Sequence, residues 1–399
     1  MNSVMKMSSG YVDCLMYVLC FHLVVVMVTA DLAAAGCKRR RATNVLPEEW
    51  SLNTHVGPLN SPQLSLEELP KNFSWLDVNG VNMLVPSWNQ HIPRYCGSCF
   101  LHGTLSMVQD RLKIAKKGAG PDVMLARQSF LNCAPFHDLS GGCDGGDVID
   151  VLRYMAKYGL PDESCMPYSA TDHTKYGKHA KKCPSFGYCT NCMPIDDVDT
   201  CWPVKTPMRY YVDAYGTVPE KGQVAMMNEI LSGGPITCSM ATPDVFDYGY
   251  HQGIAMDPFH NATEVDHDVE VVGWGETEQG IAYWVIRNSW GTYWGRLGFF
   301  LLERGTNALR IESGDCWWSK PTWADEADVR SGKKVGTMWG VMTPEEAARV
   351  LPEPGKKPHE VDPERCSEAR GRREDEAFDV EVLGQRDPWR KKGNTVAEA

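Results

Sequence analysis

Eleven cysteines fall between Cys96 and Cys316 of this 399-residue chain, and eleven is an odd number. In a reducing compartment such a set suggests metal or redox work. In an oxidising one it implies a disulfide framework with one thiol left over for chemistry or for an external partner. The first 35 residues decide between these: Lys6 is followed by an apolar run from Leu15 to Ala30 and then by the small residues AAAG. That order predicts a cleaved secretory signal over residues 1–35. The competing reading is a retained anchor, but Asp13 and His22 leave the run short of the ~20 apolar residues a membrane span needs. Cys14 and Cys20 depart with the signal, and the remaining cysteines meet oxidising conditions.

Composition narrows the partners. A formal charge of -11 provides no broad basic surface for a phosphate backbone, so nucleic acid is not an expected partner. Residues 36–68 open with GCKRRR, contain Pro47, Pro58 and Pro62 and hold few apolar side chains, which predicts a short propeptide without a core of its own. Residues 69–323 are aromatic-rich and regularly patterned, and form the expected folded domain. Residues 324–399 carry 17 acidic and 14 basic side chains with proline punctuation, the pattern of a charged, flexible extension. Within it TPEEAARVL is expected as one short helix, with Thr343 and Glu346 spaced as a capping box.

Inside the domain, Leu101, Leu105, Val108, Leu112 and Ala115 follow helical spacing from Cys99 until Gly118 to Pro121 break it. Between Cys165 and Trp202 the cysteines sit among Pro, Gly and Lys without periodicity, as in a stapled loop region. VDHDVEVVGWG and IAYWVIRNSWG read as strands running into glycine turns. A helix first and strands later predict an α+β domain with two lobes.

The stretch NQHIPRYCGSCF places Cys96 and Cys99 three apart. A redox pair, two metal ligands, or one bridge and one nucleophile all fit that spacing. A cysteine opening a helix gains from the helix dipole and from a neighbouring imidazolium, both of which favour the thiolate. His267 on a strand and Asn288 in a glycine turn are placed to serve as its base and the orienter of that base. His102, one turn into the helix, reads as packing rather than a ligand.

CGSC followed by an aromatic, GCDGG at 142–146, DHDVEVVGWG, and RNSWG followed by WG at 294–295 together resemble the papain-like cysteine peptidases, over about Leu69 to Trp323. The resemblance implies a helical lobe and a β-barrel-like lobe with the active-site cleft between them. It implies Cys99 as nucleophile, His267 as acid and base, Asn288 as orienter, Trp290 shielding that contact, and Gln90 as side-chain oxyanion donor beside the Cys99 N–H. It also implies the pairs Cys96 with Cys143, Cys133 with Cys183, Cys165 with Cys189, Cys192 with Cys201 and Cys238 with Cys316, which leaves Cys99 as the odd one. Gly145 and Gly146 would present backbone to an extended substrate, and Trp294 would floor the primed side. No cofactor and no metal are implied.

Departures from the family pattern sharpen the expectation. Gln90 precedes Cys99 by nine residues, three more than is usual, the extra residues being His91, Ile92 and Pro93. This insertion resembles a carboxypeptidase subgroup of the family. It implies that His91, helped by Tyr95, receives the free C-terminal carboxylate of a peptide while the loop blocks longer chains. The alternatives are an endopeptidase of the same fold and a catalytically silent binding or adhesion scaffold. Phe100 stands where tryptophan is usual, and Asp268 follows His267 where a small or apolar residue is usual, a carboxylate positioned to raise the histidine or disturb the strand. The short propeptide resembles those that block the site covalently, which implies Cys37 bridged to Cys99 before activation; Cys366 has no assigned partner. Sequons at Asn72 and Asn261 fit glycosylation. A monomer in the secretory pathway, lysosomal or extracellular, completes the reading.

Overall fold

The computed structural model describes residues 63–350, apart from 140–141, 177–181, 196–197, 219–220, 258–263 and 314. The expected signal segment, Cys37, Cys366 and Asn261 lie outside the described residues.

A two-residue strand β1 (Phe73–Ser74) precedes helices α1 (Cys99–Ala115), α2 (Arg127–Cys133) and α3 (Val148–Lys157). Strands β2 (Thr190–Ile195) and β3 (Val198–Pro203) pair with each other and carry the Cys192–Cys201 bridge. Then follow β4 (Tyr211–Thr217), α4 (Gln223–Gly233), β5 (Ile236–Met240), α5 (Asp244–Gly249) and β6 (Ile254–Ala255). Strands β7 (His267–Glu276), β8 (Ala282–Arg287), β9 (Phe299–Glu303) and β10 (Cys316–Thr322) complete the main sheet. After it come α6 (Ala324–Arg330), β11 (Val335–Thr337), β12 (Gly340–Met342) and α7 (Pro344–Val350).

The sheet runs β4-β10-β5-β7-β8-β9-β6, with β1 added to β7, and every pairing is antiparallel except β6 on β9. Strand β7 is covered on both faces: each residue from His267 to Gly275 is buried. Its run of Val269, Val271 and Val272 reads accordingly as a continuous apolar strand rather than an alternating one. Two apolar cores result. One gathers Phe100, Leu101, Leu105, Phe130, Leu152 and Met155 around the helices, and the other gathers Trp274, Trp284, Ile286, Phe300 and Trp318 on the sheet.

Helix α1 serves both lobes, packing on α2 and α3 and on β7 and β10. The predicted stripe Leu101, Leu105, Val108 and Leu112 is buried, but so is every residue between Cys99 and Leu112, polar ones included. A polar side chain removed from water needs partners, and here the sheet lobe supplies them. Arg111 donates to Glu229 Oε1 at 2.8 Å and to the carbonyls of Pro235, Gly234 and Ser319. Asp110 and Glu270 both lie about an ion-pair distance from Arg287, at 3.1 and 3.0 Å. Burial holds both carboxyls above their ordinary range, and the guanidinium between them offsets only part of that rise.

The packed chain continues past Trp323, where the sequence predicted a flexible extension. Glu326 in α6 is buried and accepts from Lys116 of α1 at 2.7 and 2.9 Å and from the Tyr210 hydroxyl at 3.1 Å. Trp339 and Met342 are buried as well, and the Val341 N–H donates to the Thr206 carbonyl. Charge density misled here because the acidic side chain answers a lysine 210 residues away. The short helix expected in TPEEAARVL is present as α7, with Glu345 and Glu346 in its first turn, where the helix dipole favours them.

Candidate active site

Cys99 opens α1 at the edge of the helical core, with Ser98 as the N-cap residue. The turn before it is fixed by the Cys96–Cys143 bridge and by the Gly97 N–H donating to the Cys143 carbonyl at 2.8 Å. Cys96 and Cys99 therefore belong to different bonds, which removes the redox-pair reading of CGSC. The GCDGG segment follows closely: a Cβ on Gly146 would lie 2.5 Å from the Phe100 ring, and Gly145 has φ of 107°, left-handed backbone that glycine alone adopts without strain. The pairs Cys133–Cys183, Cys165–Cys189 and Cys238–Cys316 complete, with Cys192–Cys201, the set implied by the family resemblance. Cys99 is itself disulfide-bonded. The other ten cysteines among the described residues pair with one another.

His267 begins β7 opposite Met240 of β5 and is buried. Its Nε2 lies 2.8 Å from Asn288 Oδ1. An amide oxygen only accepts, so Nε2 carries the proton and Nδ1 is the basic nitrogen. The Trp290 ring stands 5.0 Å from the imidazole and covers this contact. Burial lowers His267 to about 4, with the Asn288 hydrogen bond opposing the shift. Asp268 has no part in this: successive strand residues face opposite sides, and its Oδ1 accepts from Ser239 Oγ at 2.6 Å.

Gln90 is buried where the two lobes' segments meet. Its N–H donates to the Ser289 carbonyl at 2.8 Å, its Oε1 accepts from Ser289 Oγ at 2.6 Å, and its Nε2 donates to the Cys96 carbonyl at 3.0 Å. The Cys96 carbonyl only accepts, so the amide cannot flip, and one of its two N–H groups is left beyond that bond. Ser289 was not singled out from the sequence, although it lies inside RNSWG, the motif that pointed to Asn288.

The inserted residues stand beside this centre. His91 stacks on Tyr95 with ring centroids 4.9 Å apart and planes 9° apart, and lies 6.4 Å from Trp290. Its Nδ1 is buried with no hydrogen-bond partner. Burial and the neighbouring His267 together lower it to about 4. The Ile92–Pro93 peptide is cis. Trp294 is packed edge-on against Trp290 at 5.1 Å and against Phe300, within an aromatic cluster. His102 is wholly buried and stays neutral, as expected of packing. Asn72 is exposed and its Oδ1 accepts from the Glu276 N–H. Among the described residues, no helix is long and apolar enough to cross a membrane, and no three His, Cys, Asp or Glu side chains are grouped to hold a metal ion.

The chain belongs to the papain family of cysteine proteases, whose family model matches residues 69–317. Cathepsin Z of Onchocerca volvulus is 36% identical over 280 residues, which is 68% of this chain and 84% of that protein. Dipeptidyl aminopeptidase 1 of Plasmodium falciparum (isolate 3D7) is 29% identical, over 66% of this chain and 47% of its own length. Among solved structures, one from a study of the mite allergens Blo t 1 and Der p 1 superposes with a TM-score of 0.51 at 25% identity, covering 68% of this chain and 76% of that one. Procathepsin B S9 from Trypanosoma congolense does so at 0.50 and 23%, over 67% and 84%. Helices plus a mixed sheet in this arrangement make the fold papain-like α+β.

Proposed function

We propose that this papain-family cysteine peptidase is a carboxypeptidase that removes single residues from peptides with a free C-terminus, with Cys99 as nucleophile and His267 as its base. The observation that carries the carboxypeptidase reading is His91, stacked on Tyr95 beside His267 and Trp290 with a buried, unpartnered ring nitrogen. Protonated, that nitrogen becomes a donor to a ligand acceptor, and a terminal carboxylate is the acceptor an exopeptidase must find. Its negative charge would raise His91 again, so binding would take up a proton.

In this reading His267 Nδ1 removes the Cys99 proton, and the thiolate attacks the carbonyl of the last peptide bond. The oxyanion receives the Cys99 N–H and the remaining Gln90 N–H. The imidazolium then protonates the departing amine, the C-terminal residue leaves, and water activated by His267 hydrolyses the acyl-enzyme. A disulfide sulfur carries no charge, so in the bridged form only the Asn288 hydrogen bond opposes desolvation of the imidazolium; a Cys99 thiolate would oppose it further, and the two would charge together. Gly145 and Gly146 would offer backbone to the acyl side, with Trp290 and Trp294 on the leaving side.

The Cys99 disulfide supports Cys37 as the covalent block of a short propeptide. Five further bridges support an oxidising, secretory location, lysosomal or extracellular. Glycosylation at Asn72 and Asn261 belongs to the same proposal, as does a monomer.

Mass spectrometry of a peptide digested by the reduced, activated protein is the test. Stepwise loss of single C-terminal residues supports the proposal, and internal cuts reject it in favour of an endopeptidase. Absence of both turnover and Cys99 labelling by an epoxysuccinyl inhibitor would leave the scaffold reading. His91→Ala, or amidation of the peptide's C-terminus, is expected to lower kcat/KM about ten- to hundredfold, the range for losing a buried charge-assisted hydrogen bond. Peptide mapping of the proform without reduction checks the block, which fails if Cys37 is found as a thiol.

A further inference from the structure

Tyr168 closes a bridge between the two halves of the proposed oxyanion site. It follows the turn Glu163–Cys165, which the Cys165–Cys189 bond anchors, and its N–H donates to Glu163 Oε1 at 2.6 Å. Its hydroxyl donates to the Gln90 carbonyl at 2.7 Å and lies 3.0 Å from Ser98 Oγ. The phenol has one proton and a carbonyl only accepts, so that proton goes to Gln90 and the Ser98 hydroxyl donates to the phenol oxygen. With the serine proton so placed, the His102 ring carries its own proton on Nδ1, donating to the Ser98 carbonyl at 3.0 Å. The His102 ring also stands edge-on to Tyr168 at 5.0 Å. One continuous set of bonds thus runs from the main chain of Gln90, through Tyr168, to the residue that caps the helix opened by Cys99.

We infer that Tyr168 is a positioning residue that holds the Gln90 side chain and the Cys99 N–H at the separation a single oxyanion requires. The inference rests on the proposed roles of Gln90 and Cys99. Ser289 fixes Gln90 from the sheet side, through its carbonyl and its hydroxyl; Tyr168 fixes it from the helix side, and neither bond replaces the other. Donors aimed at a developing charge act only when held at hydrogen-bond distance from where it forms, and a misplacement of about 1 Å can cost on the order of a hundredfold. Tyr168→Phe keeps the ring and removes only the bridging oxygen.

The experiment uses the full chain after reduction of the Cys99 disulfide, and compares Tyr168→Phe, Gln90→Ala and the double variant. Ser98→Ala removes the same bridge from its other end, should Tyr168→Phe fold poorly. Tyr168→Phe is expected to lower kcat about tenfold with KM within twofold, a fraction of what a whole oxyanion donor supplies. Binding of a peptide aldehyde, whose thiol adduct places its oxygen in the same site, should weaken in parallel. Alkylation of Cys99 by iodoacetamide attacks a saturated carbon and forms no oxyanion, so its rate should not change. In the Gln90→Ala background Tyr168→Phe should add nothing. An additive double variant, an unchanged kcat, or a fall in alkylation matching that in kcat would each overturn the inference. If Gln90→Ala itself leaves kcat unchanged, the oxyanion reading of Gln90 has failed and this role falls with it. If Gln90→Ala lowers kcat and Tyr168→Phe does not, only the positioning role is lost.

Discussion

Gln90 is held on three sides by groups far apart in sequence: Cys96 within its own turn, Tyr168 at a separation of 78 residues and Ser289 at 199. Ser289→Ala would free Oε1 and leave the amide held by the Cys96 carbonyl alone, and steady-state kinetics should show a several-fold fall in kcat with KM little changed; an unchanged kcat would mean that the Cys96 bond and the main chain suffice to hold the side chain. Glu163 supports the same region from below. Burial raises its carboxyl to about 7 although the Tyr168 N–H and Arg127 both favour the anion. A folded pKa above the unfolded value means that its contribution to stability is present below pH ~4.5 and is lost as pH rises through about 7. Glu163→Gln keeps the acceptor and cannot ionise. Thermal melts of the two proteins should therefore coincide near pH 4, with the variant's advantage growing as pH rises from about 4.5 to about 7 and level above that. Equal melting temperatures at pH 8 would show that the carboxyl ionises without cost.

Among the elements, α1 was legible in the sequence where its apolar spacing and its glycine stop agreed. Strands β7 and β8 were legible from their valine-rich runs into glycine turns. The motif set also led to His267 and Asn288, which the fold joins by a hydrogen bond, and to Gln90, which it ties to Cys96 and Ser289. What was not legible is the polar side of α1. Periodicity assigns Asp110 and Arg111 to water, because a helix read alone has only one neighbour to bury against. Here the second neighbour is a sheet whose Glu229 arrives 118 residues later. Tyr168 was invisible for a related reason: no spacing in CMPYSATD announces a hydroxyl that meets a carbonyl of another segment. Removing one member of a buried ion pair leaves the other uncompensated, so Arg111→Ala should destabilise by about 3–5 kcal/mol, while Arg111→Met paired with Glu229→Leu should recover much of it. Urea unfolding of the single and double variants measures both; equal losses would show that the pair contributes shape rather than charge.

At the scale of the whole molecule, the boundaries read from composition and those drawn by packing differ at the C-terminal side. A stop codon after Thr343 should leave the melting temperature close to that of the full chain. One after Trp323 removes Glu326, strands Lys116 and the Tyr210 hydroxyl, and uncovers the surface under Trp339 and Met342. Calorimetry should then show a melt lower by several degrees, since ~1 kcal/mol moves a domain of this size by about 2–4 °C. Identical melts would mean that α6 and the β11–β12 pair are passengers.

Lys116 sits at the end of the helix that Cys99 begins. The segment after Trp323 is thus moored to the same rod that carries the proposed nucleophile, at the residue that follows its last turn. A protease or a splice variant that trimmed this segment would act on the helix of Cys99 from behind, and the loss would be read as slackness of the rod, with every proposed site residue still in place.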